Sequence, residues 1–316
     1  MISTAIEVAL KMAIQYQHNR QQKKRKIIAF RNAYHGDTFG AMSVSGRGIW
    51  TDPFKELLFE VEFIDVPTEQ NLESLKRQVE EIAEETICFI YEPLIQGAAG
   101  MLMYEAEPLS ALMKYCREQQ IVLIQDEVFT GFGRTGRLFA TDYLSEEPDI
   151  MCFSKGLTGG TMPLGITSCT AAIYEAFYSD DKEQALYHGH SFTASPLACA
   201  AALASLDLLL LPETQENIRR IVSQHSQFAE EIKSYSQVKT VRQRGTILAL
   251  EWKTSEEMSY FSDMHEKLYP YFLARGILLR PLGNIIYLVP PYCISEKELN
   301  YIYQTIKQAL QEIVPS

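Results

Sequence analysis

The sequence predicts an α/β fold, a mostly parallel central sheet with helices on both faces, followed by a smaller C-terminal α+β domain. Three observations carry this expectation. Short continuous apolar runs alternate with helical patterns through the first two thirds of the chain, as strands buried on both faces do. The texture changes after Leu211-Pro212, where long helices and few strands follow. The length, 316 residues of which 47% are apolar and 22% charged, provides a substantial core. We therefore expect a large domain over residues 1–211 and a small one over 212–316.

The elements follow in order. "TAIEVALKMAIQYQ" (4–17) has apolar residues at helical spacing, and Thr4 with Glu7 has the form of a capping box, which would start the helix near residue 5. "KIIAF" (26–30) reads as a strand, "NLESLKRQVEEIAEE" (71–85) as an exposed amphipathic helix, and "ICFIYEP" (87–93) as a strand. "LSALMKYCREQQ" (109–120) is helical, and "IVLIQDEV" (121–128) and "DIMCFS" (149–154) are strands. "PLACAAALASLDLLL" (196–210) is a helix rich in small residues, hence tightly packed. Beyond it come a polar helix (213–235), a strand in "RGTILALEW" (244–252) and a helix over 264–276. Short strands in "ILLRP" and "IIYLVPP" precede a last helix capped near Ser295.

Composition narrows the function. A net charge of -11 argues against nucleic acid as a partner, and the basic "KKRK" at 23–26 reads as a solvated helix end. The cysteines, Cys88, Cys116, Cys152, Cys169, Cys199 and Cys293, form no C-x-x-C pair and read as buried small hydrophobes in a reducing compartment, not as a metal site. No apolar run reaches the roughly 18 residues that span a bilayer, and no signal peptide opens the chain. The expectation is a cytoplasmic protein.

Gly131, Gly133 and Gly136 satisfy G-x-G-x-x-G, a dinucleotide fingerprint. The context contradicts it. The run after Gly136 is too short and irregular for a crossover helix, and the acidic pair Asp126-Glu127 precedes the glycines. The chemistry lies instead at two strand ends, "IVLIQD" closing on Asp126 and "DIMCFS" leading into Lys155. A carboxylate and a lysine in one crevice suit pyridoxal phosphate. The lysine forms a Schiff base with the aldehyde, and the carboxylate pairs with the ring nitrogen and keeps it cationic.

"QDEVFTGFGRTG" followed by "FSKGLTGG" resembles the class III aminotransferases, of the fold type I pyridoxal phosphate superfamily. "AYHGDTFGAMSVSG" (33–46), "YEPLIQGAAGM" (91–101), "HGHSFTASPLACAAA" (188–202) and "LLRPLGNIIYLVPPY" (278–292) extend the likeness across the chain. These blocks resemble the branch that converts 8-amino-7-oxononanoate to 7,8-diaminononanoate with S-adenosyl-L-methionine, in biotin synthesis. The resemblance implies pyridoxal 5'-phosphate as cofactor and a homodimer with a shared active site. By position, Lys155 is the Schiff-base lysine and proton shuttle, and Asp126 the partner of the ring nitrogen. Tyr34 stacks on the ring and shapes the substrate pocket, and Val128 packs the other face. Ser191, with Gly189 and His190 beside it, reaches the cofactor phosphate of the partner subunit. Ser3 belongs to the phosphate cup, and Arg280 takes the substrate carboxylate. His35, His188 and Arg134 read as structural, with His190 contributing backbone contacts. The family normally has a substantial segment before the point where this chain starts, and Ile2 stands where its glycine is expected. The resemblance thus leaves three readings of the chain, a fragment, half of a split enzyme, or a degenerate paralogue, and two alternative functions, another class III ω-aminotransferase with lysine or a diamine as donor, or a non-catalytic binding or assembly protein.

Overall fold

The computed structural model describes residues 2–254 and 263–313. In chain order its first elements are α1 (Ile2–Asn19), β1 (Lys26–Phe30), α2 (Phe39–Ser43), β2 (Glu62–Ile64), α3 (Leu72–Ile82), β3 (Thr86–Tyr91), β4 (Ile95–Gln96) and β5 (Leu102–Met103). There follow α4 (Ala106–Glu118), β6 (Val122–Asp126), β7 (Ile150–Phe153), β8 (Ile166–Cys169), α5 (Ala171–Glu175) and α6 (Pro196–Leu210). The last are α7 (Pro212–Ile232), β9 (Val238–Arg244), β10 (Ile247–Trp252), α8 (Asp263–Leu273), β11 (Ile285–Leu288) and α9 (Glu296–Glu312). They fall into two compact units. The first comprises residues 2–99, 104–132 and 139–207, and the second 100–103, 133–138 and the described residues from 208 onward.

The first unit is built on a six-stranded sheet of order β2-β1-β3-β6-β7-β8. All neighbours are parallel except β7 and β8. Successive side chains of a strand point to opposite faces, so one run feeds two cores. Ile27 and Ala29 pack with Ile6, Ala9, Leu10 and Ala13 of α1. Ile28 and Phe30 pack with Leu75 and Val79 of α3 and Leu109, Leu112 and Met113 of α4. Helices therefore cover both faces, which is why these strands read as unbroken apolar runs.

The second unit carries a three-stranded antiparallel sheet of order β11-β10-β9. Its core gathers Ile221, Phe228 and Ile232 of α7, Leu248, Leu250 and Trp252 of β10, and Leu299, Ile306 and Leu310 of α9. Among the described residues no single helix is long and apolar enough to cross a membrane.

The structure departs from the sequence expectations at definite points. β9, "VKTVRQR", was not expected to be a strand, because its exposed side chains give no apolar run. β2 and β8 were missed because they are short and half-buried at the sheet's two edges. "ILLRP" forms no strand: Leu278 is 77% exposed, and the nearest pairing is a lone bridge from Leu282 to Ile285 round Gly283. Cys293 is exposed rather than buried. The Thr4–Glu7 capping box does not form either. α1 already begins at Ile2, and the Glu7 carboxylate caps α2 instead, its Oε1 accepting from Thr38 Oγ1 and from the backbone N–H groups of Gly40 (2.8 Å) and Ala41 (3.0 Å). Ser295 caps α9 as expected, and Glu298 completes a capping box with it.

Candidate active site

Four strands adjacent in the first sheet, β1, β3, β6 and β7, each deliver a chemically loaded residue at or just past the C-terminal end. β1 leads to Tyr34 and His35, β3 to Glu92, β6 ends on Asp126, and β7 leads to Lys155. Ligands of open α/β sheets collect at this edge.

Asp126 is held from two sides. Its Oδ1 accepts the Val128 backbone N–H at 3.0 Å, and its Oδ2 lies 2.7 Å from His35 Nδ1. The carboxylate accepts, so the His35 proton is on Nδ1. Both side chains are buried, at 0% exposure for His35 and 5% for Asp126. The His35 backbone N–H donates to Ser45 Oγ at 2.9 Å, which fixes the ring's approach. His35 Nε2 is buried with no hydrogen-bond partner among the described residues.

Lys155 opens the 3₁₀ turn Lys155–Thr158, with φ of 43°. A non-glycine residue in the left-handed region costs about 1 kcal/mol and is common where chemistry demands a fixed side chain. The turn is tied down by Thr158 Oγ1 donating to the Met162 carbonyl and Ser154 Oγ to that of Leu164, each at 2.6 Å. Lys155 Nζ lies 5.2 Å from the Phe129 ring centroid. The residue still shows surface to solvent, while protein packed round its ammonium lowers its proton affinity. The nearby carboxylates of Asp126 and Glu92 pull the other way.

The remaining predicted residues are distributed as follows. Tyr34 is 42% exposed, and its hydroxyl donates to Asp37 Oδ2 at 2.9 Å. Val128 is buried beside Asp126. Ser3 lies in the first turn of α1, where its Oγ accepts the Asp37 N–H at 3.0 Å, leaving its own proton free to donate. Gly36, at φ of 130°, makes this approach possible: a Cβ there would stand 2.0 Å from Ser3 Oγ. Gly189, His190 and Ser191 occupy an exposed loop in which the Phe192 N–H donates to His190 Nδ1 at 3.1 Å. This loop and Thr4 line a cleft of about 510 Å³. Arg280 is exposed on the irregular run 277–280 of the second unit.

The glycine loop serves architecture. A Cβ on Gly131 would lie 2.9 Å from the Glu127 carbonyl oxygen. Residues 133–138 belong to the second unit, where Gly133 packs on Ile218 and Tyr292. Arg134 is a structural residue, as expected. It donates to the Pro290 carbonyl at 2.6 Å and lies 4.6 Å over the Tyr292 ring, and burial lowers its pKa.

Two residues at this edge fall outside the sequence expectations for the site: His35 is expected to be structural, and Glu92 is not among the candidates. Glu92 is buried and accepts the Tyr34 N–H on Oε2 (3.0 Å) and the Gly97 N–H on Oε1 (3.2 Å). Burial raises its pKa to about 7 against the pull of His35 and these N–H groups, with Asp126 adding to the rise. The signal was available: a charged residue directly after the apolar run "ICFIY".

The residues fit the pyridoxal phosphate that the sequence implies. A lysine of reduced proton affinity, a buried carboxylate held by an imidazole, an exposed aromatic ring, and a serine hydroxyl at a helix start meet its aldehyde, ring nitrogen, ring face and phosphate in turn. Residues 3–310 match the sequence model of the aminotransferase class-III family, and the chain belongs to that family. Its fold is that of the fold type I pyridoxal phosphate transferases.

The particular likeness is to enzymes of one name. The adenosylmethionine-8-amino-7-oxononanoate aminotransferase of Synechococcus elongatus is 43% identical over 98% of this chain and 75% of its own length. The crystal structure of the enzyme of that name from Methanocaldococcus jannaschii matches with a TM-score of 0.93 at 38% identity, over 98% of this chain and 74% of that one. An amine transaminase from an uncultivated Pseudomonas species, solved with PLP bound, matches with a TM-score of 0.89 at 29% identity, over 98% and 75% of the two chains.

Proposed function

We propose that the chain converts 8-amino-7-oxononanoate to 7,8-diaminononanoate with S-adenosyl-L-methionine as amino donor, a step of biotin synthesis. The chain is a pyridoxal phosphate-dependent transaminase. The observation that carries the reading is the succession of Tyr34, Asp126 and Lys155 at strand ends of one sheet, in a chain 43% identical to an enzyme of that name.

Bound pyridoxal phosphate supplies an aldehyde that takes up the amino group and a ring that withdraws electrons. The protein does the rest. Lys155, whose proton affinity is lowered by the protein packed round it, offers the amine that moves the proton at the substrate Cα. Asp126, fixed by the His35 and Val128 N–H groups, sets a carboxylate where positive charge is needed. Tyr34 and Val128 offer an aromatic and an apolar surface. Ser3 Oγ and the start of α1 suit an anionic phosphate. Arg280 offers a planar guanidinium fork to the substrate carboxylate.

We assign 1–211 to the cofactor-binding domain and 212–316 to the small domain. We also assign the protein to the cytoplasm, as a homodimer in which Gly189, His190 and Ser191 serve the partner's cofactor. Exposed Tyr174, Tyr178, Tyr187, Phe192 and Leu197 in the first unit favour a second copy.

The test is turnover of 8-amino-7-oxononanoate by the purified chain with a panel of donors. S-adenosyl-L-methionine should be the preferred donor. Lys155→Ala should abolish turnover while cofactor still binds noncovalently. A Lys155→Ala protein with near-normal turnover would reject the assignment. The Pseudomonas likeness supports a second reading, in which another amine is the donor and the oxononanoate is refused.

A further inference from the structure

We propose that Glu92 is a positioning residue of the transamination site, its carboxylate tying the loop that carries Tyr34 and His35 to the end of the strand lying between β1 and β6. The inference rests on the transaminase reading above.

Its geometry is that of a two-sided clamp. β3 lies between β1 and β6 in the sheet, so the residue after β3 faces the loop of Tyr34 on one side and Asp126 on the other. One oxygen of Glu92 takes the Tyr34 N–H and the other the Gly97 N–H. The Glu92 carbonyl accepts the Tyr104 hydroxyl, which holds the backbone from below. Among the described residues both hydrogen bonds to this carboxylate come from backbone donors, so it acts on loop position. Tyr34 and His35 are consecutive, and His35 Nδ1 meets Asp126 Oδ2. The clamp thus sets both the aromatic ring and, through His35, the carboxylate. A glutamine has one oxygen, and its amide would confront an N–H with an N–H, so one arm must open.

A buried carboxylate is costly to keep. Burial raises the proton affinity of this one, with Asp126 adding to the rise, while His35 and the two N–H groups oppose it. Lys155 senses the same charge. A residue that only filled space between two strands would be cheaper as an apolar one.

The experiment compares wild type, Glu92→Gln and Glu92→Asp as purified chains. In each apoprotein, amide hydrogen exchange is read at Tyr34, His35 and Gly97, and in each holoprotein the affinity for pyridoxal phosphate and the kcat and KM. In Glu92→Gln, exchange at Tyr34 or Gly97 should accelerate by about tenfold or more while β3 and β6 keep their protection. Cofactor affinity should fall about tenfold, with kcat falling more than KM rises. Glu92→Asp keeps both oxygens on a shorter arm and should fall between. Unchanged exchange at Tyr34 and Gly97, or loss spread evenly over β3 and β6, would overturn the proposal. A wild-type chain that takes up no pyridoxal phosphate would overturn the transaminase reading instead, and apoprotein exchange would still decide the clamp.

Discussion

The two units each bury an ionisable centre, and the two centres treat charge in opposite ways. At the sheet edge of the first unit, Asp126, His35 and Glu92 are buried together, with an imidazole set against a carboxylate. In the second unit His225 is equally buried but has neutral partners. Its Nε2 donates to the Thr246 carbonyl at 3.2 Å, so its Nδ1 accepts the Tyr303 hydroxyl at 2.6 Å. Burial lowers its pKa to about 4, and the ring stays uncharged at neutral pH. Thr246 in turn donates its N–H to the Arg134 carbonyl at 3.0 Å, so this imidazole supports the glycine loop. The difference lies between these two centres and not between whole units, since the second unit also buries the Glu251 carboxylate against Lys239 and Arg242. An imidazole that only supports a loop is kept neutral, whereas the cluster given chemistry keeps its carboxylates together and loses stability in doing so.

The largest effect should come from removing charge where it is retained. Asp126→Asn keeps the shape and the bond from Val128 but loses the anion. Turnover should fall by about 10²- to 10³-fold, since the lost interaction acts where charge develops, while the melting temperature changes little. The check is kcat beside a thermal melt. A loss below tenfold would remove Asp126 from its assigned role.

The next effect sharpens the contrast through pH. The folded pKa of His225 lies below its ordinary value of 6.5. Its stabilising contribution is therefore present above pH 6.5 and is lost as pH falls towards about 4, with an upper figure of about 3 kcal/mol. Glu92 has the opposite sign. Its folded pKa of about 7 lies above the ordinary 4.5, so its contribution is present below pH 4.5 and is lost as pH rises towards 7. The two slopes oppose one another in the same window, and wild type should show a shallow profile. His225→Gln should unmask a decline in stability with rising pH, followed by urea unfolding between pH 4 and 7. A profile parallel to wild type would show that His225 does not titrate as its surroundings dictate.

Much of this was legible in the sequence, and what was not has a physical reason. β1, β3 and β6 are buried on both faces and β7 is buried on one and half-buried on the other, so apolar runs marked them and placed Asp126 and Lys155 at strand ends. β9 was hidden because "VKTVRQR" buries little. The glycine loop matched a fingerprint by spacing, but its glycines answer to steric demands: Gly133 to Ile218 and Tyr292, and Gly131 to the Glu127 carbonyl. Asp126 and Lys155 were singled out by type and context, and Tyr34 by the resemblance. Glu92 and His35 were not, because their partners are a backbone N–H 58 residues away and a carboxylate 91 residues away. Long-range pairs of that kind leave no local trace of the partner, although the charge directly after "ICFIY" marked Glu92 itself.

The same distinction governs Glu7 and Glu298, where the smallest effects are expected. The sequence marks Glu7 as half of a local capping box and, near α9, only Ser295 as a cap. Glu298 forms such a box: its carboxylate accepts the Ser295 N–H at 2.8 Å, three residues away. Glu7 instead reaches more than 30 residues along the chain to the first turn of α2, where Thr38, Gly40 and Ala41 all donate to one oxygen. Each cap contributes about 1 kcal/mol on general grounds, so Glu298→Ala and Glu7→Ala should lower global stability by similar amounts. They should differ in where the damage falls. Glu298→Ala should fray only the start of α9. Glu7→Ala frees the first turn of α2, which follows Tyr34 and Gly36 directly, and should accelerate exchange at Gly40 and Ala41 with a few-fold loss of kcat. Equal activity in the two variants would show that the loop of Tyr34 is held without α2, leaving the Glu92 carboxylate as its principal restraint.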